Sequence, residues 1–229
     1  MTLTAAQLRA IMVHMPAERA ELWTPHLSAA MQEFSITTPP RAAAFLAQVA
    51  HESGELSRLV ESMNYSADRM IAVWPSRFGH QRGATEAQRA EGRRRAASLA
   101  HKPTELALYV YGSRADLGNR PGTFDGWDFI GRSPIAVTGR GNYAAVGKAL
   151  GLPLLENPRL LEIPQHGARS AGYFWQSHGL NKVVDAGEAV ADPNGPLEAL
   201  RASTRVINGG LIGWPERLAY WQRARTVLA

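Results

Sequence analysis

Apolar residues recur along most of this chain at three- and four-residue spacing, a period that predicts helices packed by one face. Thr4 is placed to cap a first helix with Leu8, Ile11 and Met12 on one side, and Pro16 to end it. A second helix over 18–33 turns Leu22, Leu27, Ala30 and Met31 inward, with Pro25 as a kink or division. Thr38-Pro39-Pro40 opens a core helix whose stripe includes Ala44, Phe45, Leu46, Val49 and Ala50; Gly54 stops it within a residue or two of Glu52. Ser66-Ala67-Asp68 caps a helix reading through Met70, Ile71 and Trp74 to Pro75, followed by a polar helix over 85–99 and another from Pro103 to 114. Glycines at 118, 122, 126, 131, 139 and 141, with Pro121 and Pro134, exclude a long helix there; Ile135 to Thr138 is a short extended run suited to a small ribbon. Helices then follow over 143–150, over 165–178 with Ala168, Ala171, Tyr173, Phe174 and Trp175 buried, over 197–207, and from Pro215 onward, with a turn cluster at 192–196. No repeat or linker interrupts the pattern, so residues 1–229 are expected to form one catalytic domain without a separate binding module.

The core helix runs straight into His51-Glu52-Ser53-Gly54, and a second acid, Glu61, follows just before Asn64 and Tyr65. A carboxylate at the end of a buried apolar helix is a costly placement, and such groups are often put to use. On one straight helix Glu52 and Glu61 would lie ~13 Å apart and on opposite faces. Glycosidic hydrolysis needs two carboxyls ~5 to 9.5 Å apart, so the break at Gly54 matters: a turn there allows Glu61 to swing back. The plainer reading, a satisfied helix-end Glu52 and a solvated Glu61, carries equal weight on the residues alone. His51-Glu52 lacks the second histidine of a zinc motif, since position 55 is Glu, and neither a metal nor a cofactor is expected.

Composition narrows the partners. The chain of 229 residues has a net charge of +5 and no cysteine, and its pI is near 9.9. The absence of cysteine excludes disulfides and thiolate metal sites, and the basic balance points to an anionic partner. Arg77, Arg82, Arg89, Arg93, Arg94 and Arg95 form the most basic stretch, read either as a solvated helix face or as a footprint for anionic wall polymers. No aromatic residues are interleaved with them and no nucleic-acid motif is present, which disfavours nucleic acid as a partner. Gly139-Arg140-Gly141 lacks a preceding buried strand and a Walker lysine, so a phosphate loop is not expected. The first 23 residues carry early acids and no long apolar run, which argues against a secretory leader or a membrane span.

Several blocks together resemble family 19 glycoside hydrolases, in the branch of phage and prophage endolysins related to plant-type chitinases. They are AAFLAQVAHESGEL from 42, ESMNYSADRM at 61–70, GNRPG at 118–122, DGWDFIGRSPIAVTGRGNY at 125–143, FWQSHGLN at 174–181 and RVINGGLIGWPERLAYWQRA at 205–224. The resemblance implies a mainly α, lysozyme-like, two-lobed helical domain with a small β ribbon beside the cleft. It further implies inverting hydrolysis, with Glu52 as general acid, Glu61 as general base and Thr138 holding the attacking water. Asn142 and Asn208 match sugar-bonding positions, Arg217 a basic residue near the acids, and Tyr65 and Arg132 are further cleft candidates. Trp127 has two readings of equal weight, stacking on a sugar or filling the core.

The sequence departs from the family pattern where Ala136 replaces a sugar-contacting glutamine, Ile130 an arginine, and Ile212 an acid found in plant chitinases. The expectation is an endolysin cleaving the β-1,4 glycan strands of peptidoglycan. It would be a monomer made in the cytoplasm without a leader and released to the periplasm or cell wall by another factor. A chitinase of the same fold and a weakened wall-binding protein are the alternatives.

Overall fold

The structure is a computed structural model, and it describes residues 2–229. In chain order the α-helices are α1 (Ala5–Ile11), α2 (Ala17–Glu33), α3 (Pro39–Ser53), α4 (Ala67–Val73), α5 (Glu86–Leu99), α6 (Pro103–Tyr111) and α7 (Asp125–Asp128). They continue with α8 (Arg140–Leu150), α9 (Pro164–Ser177), α10 (Leu180–Ala189), α11 (Gly195–Asn208) and α12 (Trp214–Val227). Short 3-10 turns lie at Ala115–Leu117 and Pro158–Glu162.

Contacts divide the chain into two compact units. The first comprises Met1–Val60, Arg132–Val137 and Val146–Ala229, and α3 is its centre. The Thr38 hydroxyl accepts from the Arg41 amide at 3.4 Å, Pro39 and Pro40 occupy the first turn, and Gly54 closes the end with φ 54°. Ala42 to Ala50 are all buried, so α3 is enclosed by neighbours rather than half-exposed. It packs chiefly on α12 and also meets α10 and α11, while α1 meets α2 and α12, and α2 lies along α9.

The second unit comprises Glu61–Gly131 and Thr138–Ala145. Its core gathers Met63, Met70, Phe78, Ala96, Leu106, Ala107, Val110 and Ile130, with Tyr65, Trp74 and Trp127 packed around it. Caps set its helices: Ser66 accepts from the Arg69 amide, and Thr85 and Gln88 form a reciprocal capping box at the start of α5.

Three sequence expectations need correction, and one helix is new. Leu22 does not face inward but is 53% exposed; Trp23, at 2%, takes its place on the Ala20–Trp23–Leu27 stripe of α2. Pro16 does not end α1, which stops at Ile11, but precedes the first turn of α2. The extended run at 135–138 forms no strand: Arg132 makes isolated bridges to Val60 and Val137, and Pro134 inside that short turn removes a ladder donor. Helix α10 is an addition to the sequence reading. It starts at Gly179 without a polar cap and contains Gly187, a residue that ordinarily weakens a helix. Here Gly187 lets α10 approach α11, because a Cβ there would stand 2.7 Å from the Gly195 carbonyl.

Candidate active site

In the first unit, Glu52 sits in the last turn of α3, one turn after Gln48 on the same face. Arg217, only 1% exposed, comes from the first turn of α12 and joins both side chains. Its guanidinium donates from Nη2 to Glu52 Oε1, from Nη1 to Gln48 Oε1, and from Nε to the Ile212 carbonyl at 3.1 Å. Gln48, fully buried, passes its own donor to Thr204 Oγ1 at 2.9 Å, so Arg217 is held by a satisfied network. Asn208 shares the Ile212 carbonyl, donating to it at 3.0 Å while its Oδ1 accepts from the Gly210 amide at 2.8 Å. Both ends of the Asn208 amide therefore brace the 208–212 loop. His51 packs its ring against Gly213, where any Cβ would overlap the imidazole. Burial first, and then the Arg217 charge, push the His51 pKa below its usual value, so the ring beside Glu52 is neutral near pH 7.

In the second unit, Glu61 is fixed at three atoms. Its amide donates to the Gly131 carbonyl at 2.8 Å, its Oε2 accepts from the Gly131 amide at 3.2 Å, and its Oε1 accepts from the Tyr111 hydroxyl at 2.7 Å. Gly131 has no side chain for a spatial reason: a Cβ would lie 3.2 Å from Thr138 Oγ1 and 3.3 Å from Glu61 Oε2. The same geometry puts the Thr138 hydroxyl and the Glu61 carboxylate against one backbone position. Burial and the Glu61 charge raise the Tyr111 pKa far above the ordinary phenol value, so Tyr111 is a donor at any working pH. Tyr65 is raised as well, by burial and then by Glu61, and its ring meets Trp74 edge-on at 5.2 Å.

The remaining expected residues fall in different surroundings. Arg132 is 7% exposed and donates from Nε to Glu162 at 3.0 Å within the first unit, an ion pair that occupies that nitrogen. Asn142 is exposed and donates to the Thr138 carbonyl at 2.8 Å. Trp127 is half-buried against the core of the second unit. Ile130 lies within that core, where an arginine would have to bury its charge, whereas Ala136 is exposed. Sequence reasoning passed over Tyr111, Gln48 and Thr204. Gln48 carried a readable signal, a polar residue four before Glu52 inside an apolar helix. Among the described residues no group of three or more His, Asp or Glu is arranged to hold a metal ion, and no helix is long and apolar enough to cross a membrane.

Solved chitinases share this arrangement of helices. Chitinase C from Streptomyces griseus superposes with a TM-score of 0.58 at 21% identity, over 99% of this chain and 76% of that one. A bacterial family 19 chitinase gives 0.58 at 21% identity, over 100% of this chain and 96% of that one. The fold is thus the mainly α, lysozyme-like fold of that class. No protein-family model matches the chain. By sequence, a glycosyl hydrolase family 19 domain-containing protein of Haemophilus influenzae is 29% identical over 191 residues, 83% of this chain and 82% of the relative. An Arabidopsis thaliana endochitinase is 40% identical over 86 residues, 37% of this chain and 26% of its own length. In sequence the chain is therefore similar to a family 19 glycosyl hydrolase domain protein over most of its length.

Proposed function

We propose that this protein is an endolysin that hydrolyses the β-1,4 glycosidic bonds of peptidoglycan with inversion. The observation that carries the hydrolytic part is the pair of acids held by dedicated donors, Glu52 by Arg217 and Glu61 by Tyr111 and the Gly131 amide. In the inverting scheme one carboxyl protonates the leaving oxygen and the other activates water. Glu52, the helix-end acid, is assigned the first task. Glu61, with the Thr138 hydroxyl against the same backbone position, is assigned the second. Asn142, Asn208, Tyr65 and Trp127 are assigned to the glycan, and Arg217 to orienting Glu52. The basic excess of the chain favours an anionic wall as substrate over neutral chitin. Delivery to the wall is assigned to another factor, and the working form to a monomer.

Chitin hydrolysis is the second reading, and the named chitinases among the relatives and solved structures favour it. Mass analysis of fragments from purified peptidoglycan, beside reducing-end release from soluble chitin, separates the two. Glu52→Gln and Glu61→Gln should each lower turnover on the true substrate at least ~100-fold, with thermal unfolding little changed. Near-parental turnover in either variant would remove that residue from its role. The first product should be the α-anomer by proton NMR, whereas a 1,6-anhydro end would mean a transglycosylase.

A further inference from the structure

The second unit carries a groove of about 410 Å³ that the hydrolytic assignment leaves unused. It lies where the turn at 75–80 meets α5 and α6, and its lining includes Arg77, Phe78, Ala87, Glu91, Arg95 and Tyr109. Tyr109 and Tyr111 stand two residues apart on α6, hence on roughly opposite faces. Tyr111 serves Glu61, and Tyr109 faces the groove. We propose that this groove is an accessory site for a short acidic peptide, the class that branches from peptidoglycan glycan strands.

Aromatic rings form one wall: Phe78 and Tyr109 lie 5.3 Å apart with a 45° tilt, and the Arg95 guanidinium stands over the Tyr109 ring at 5.6 Å. The Tyr109 hydroxyl donates to the Arg77 carbonyl at 2.7 Å and so fixes the backbone from which that arginine extends. Arg77 enters no ion pair among the described residues. Arg95 reaches its acid partner, Glu91, only at 3.8 Å, and Glu91 is shared with Arg94 at 2.8 Å. The lining therefore offers two guanidiniums against one shared carboxylate, above an apolar wall.

That set complements a ligand with a carboxylate and an aliphatic body. A polyphosphate or nucleic acid calls for a run of unpaired cations. The neighbouring arginines do not supply it, because Arg93 and Arg94 pair with Glu86 and Glu91. A peptide held here would tether the strand and raise its effective concentration at the catalytic residues. The inference rests on the peptidoglycan reading of the function.

The test is calorimetric titration of the whole protein with the synthetic peptide N-acetyl-L-Ala-γ-D-Glu-L-Lys-D-Ala, net acidic because its N-terminus is blocked, beside the same peptide with both carboxylates amidated. Saturable binding of the acid form is expected, weakened about tenfold by Arg77→Gln, in line with loss of one charge-assisted hydrogen bond. Ala87→Glu, an exposed helix substitution that leaves every contact named above in place, should weaken it comparably by placing a like charge at the rim. No saturable binding, parental affinity in both variants, or equal binding of the amidated peptide would overturn the proposal. Saturable binding of polygalacturonate but not of the peptide would assign the groove to acidic polysaccharide instead. Hydrolysis of peptide-free glycan strands is measured in parallel. Cleavage without peptide binding removes this site and keeps the endolysin reading, and peptide binding without cleavage of any peptidoglycan glycan does the reverse.

Discussion

The two carboxylates are oriented by different means. Glu52 shares one oxygen with a buried guanidinium that is itself pinned by Gln48 and the Ile212 carbonyl, whereas Glu61 has a neutral donor on each oxygen. Tyr111 is the more exposed to test, because its phenol makes one bond to Glu61 and phenylalanine preserves its shape. A hydrogen bond to a charged group contributes about 1.5–3 kcal/mol, so Tyr111→Phe should lower kcat on the order of 10- to 100-fold with the protein still folded. Unaltered kcat in a folded variant would mean that the Gly131 amide alone orients Glu61. At this scale the sequence was legible where local rules act. Glu52 could be read from the stripe it ends and the glycine that follows. Tyr111 could not, since it lies fifty positions from Glu61 and only the packing of α6 joins them. Arg132 shows the converse: its motif suggested a ligand contact, while its burial and its pairing with Glu162 come from non-local packing.

Elements were legible in proportion to how far their ends are set by local chemistry. Thr4, Thr38 and Ser66 each cap the helix expected of them, because a side-chain oxygen two or three residues before an orphan amide needs nothing tertiary. Helix α10 escaped, having a left-handed glycine for a cap and a glycine inside it, both meaningful only against α11. Helix α5 makes a sharper case. It is polar nearly all round, burying only Gly92 and Ala96, and ion pairs of Arg93, Arg94 and Arg95 with Glu86 and Glu91 lace its surface. On such a helix Gly→Ala ordinarily stabilises by about 1 kcal/mol. At Gly92 the sign reverses, because the added Cβ would overlap the Phe78 carbonyl. Gly92→Ala should therefore lower stability by about 1–3 kcal/mol, the usual range for overpacking, measured as a fall in Tm. A rise in Tm would show that the turn at 75–80 yields freely.

Charge and pH act on the molecule as a whole. With a net charge of +5 and exposed pairs screened over ~8 Å at physiological salt, association with anionic walls should weaken as salt rises. Sedimentation with purified walls measures this, and salt-independent association would exclude an electrostatic encounter. Raised phenols in both units tie stability to alkaline pH. Tyr65 and Tyr111 are raised in the second, and in the first Tyr220 is pushed up from 10.0 to about 12 by burial and by its hydrogen bond to Glu55. Glu55 is 4% exposed, has φ 57°, and accepts from the Tyr220 hydroxyl at 2.9 Å and from the His14 amide at 2.7 Å. A pKa raised in the folded state means that the native protein holds its proton more tightly than the unfolded chain. The stabilisation is then complete below pH 10 and is lost as pH climbs through about 12. Denaturant unfolding followed between pH 8 and pH 12 should show stability falling over the last two units. Tyr220→Phe, with one fewer proton to lose, should start lower at pH 8 and fall less steeply. Parallel curves for parent and variant would assign the alkaline loss to other groups and leave the Glu55–Tyr220 contact without a part in it.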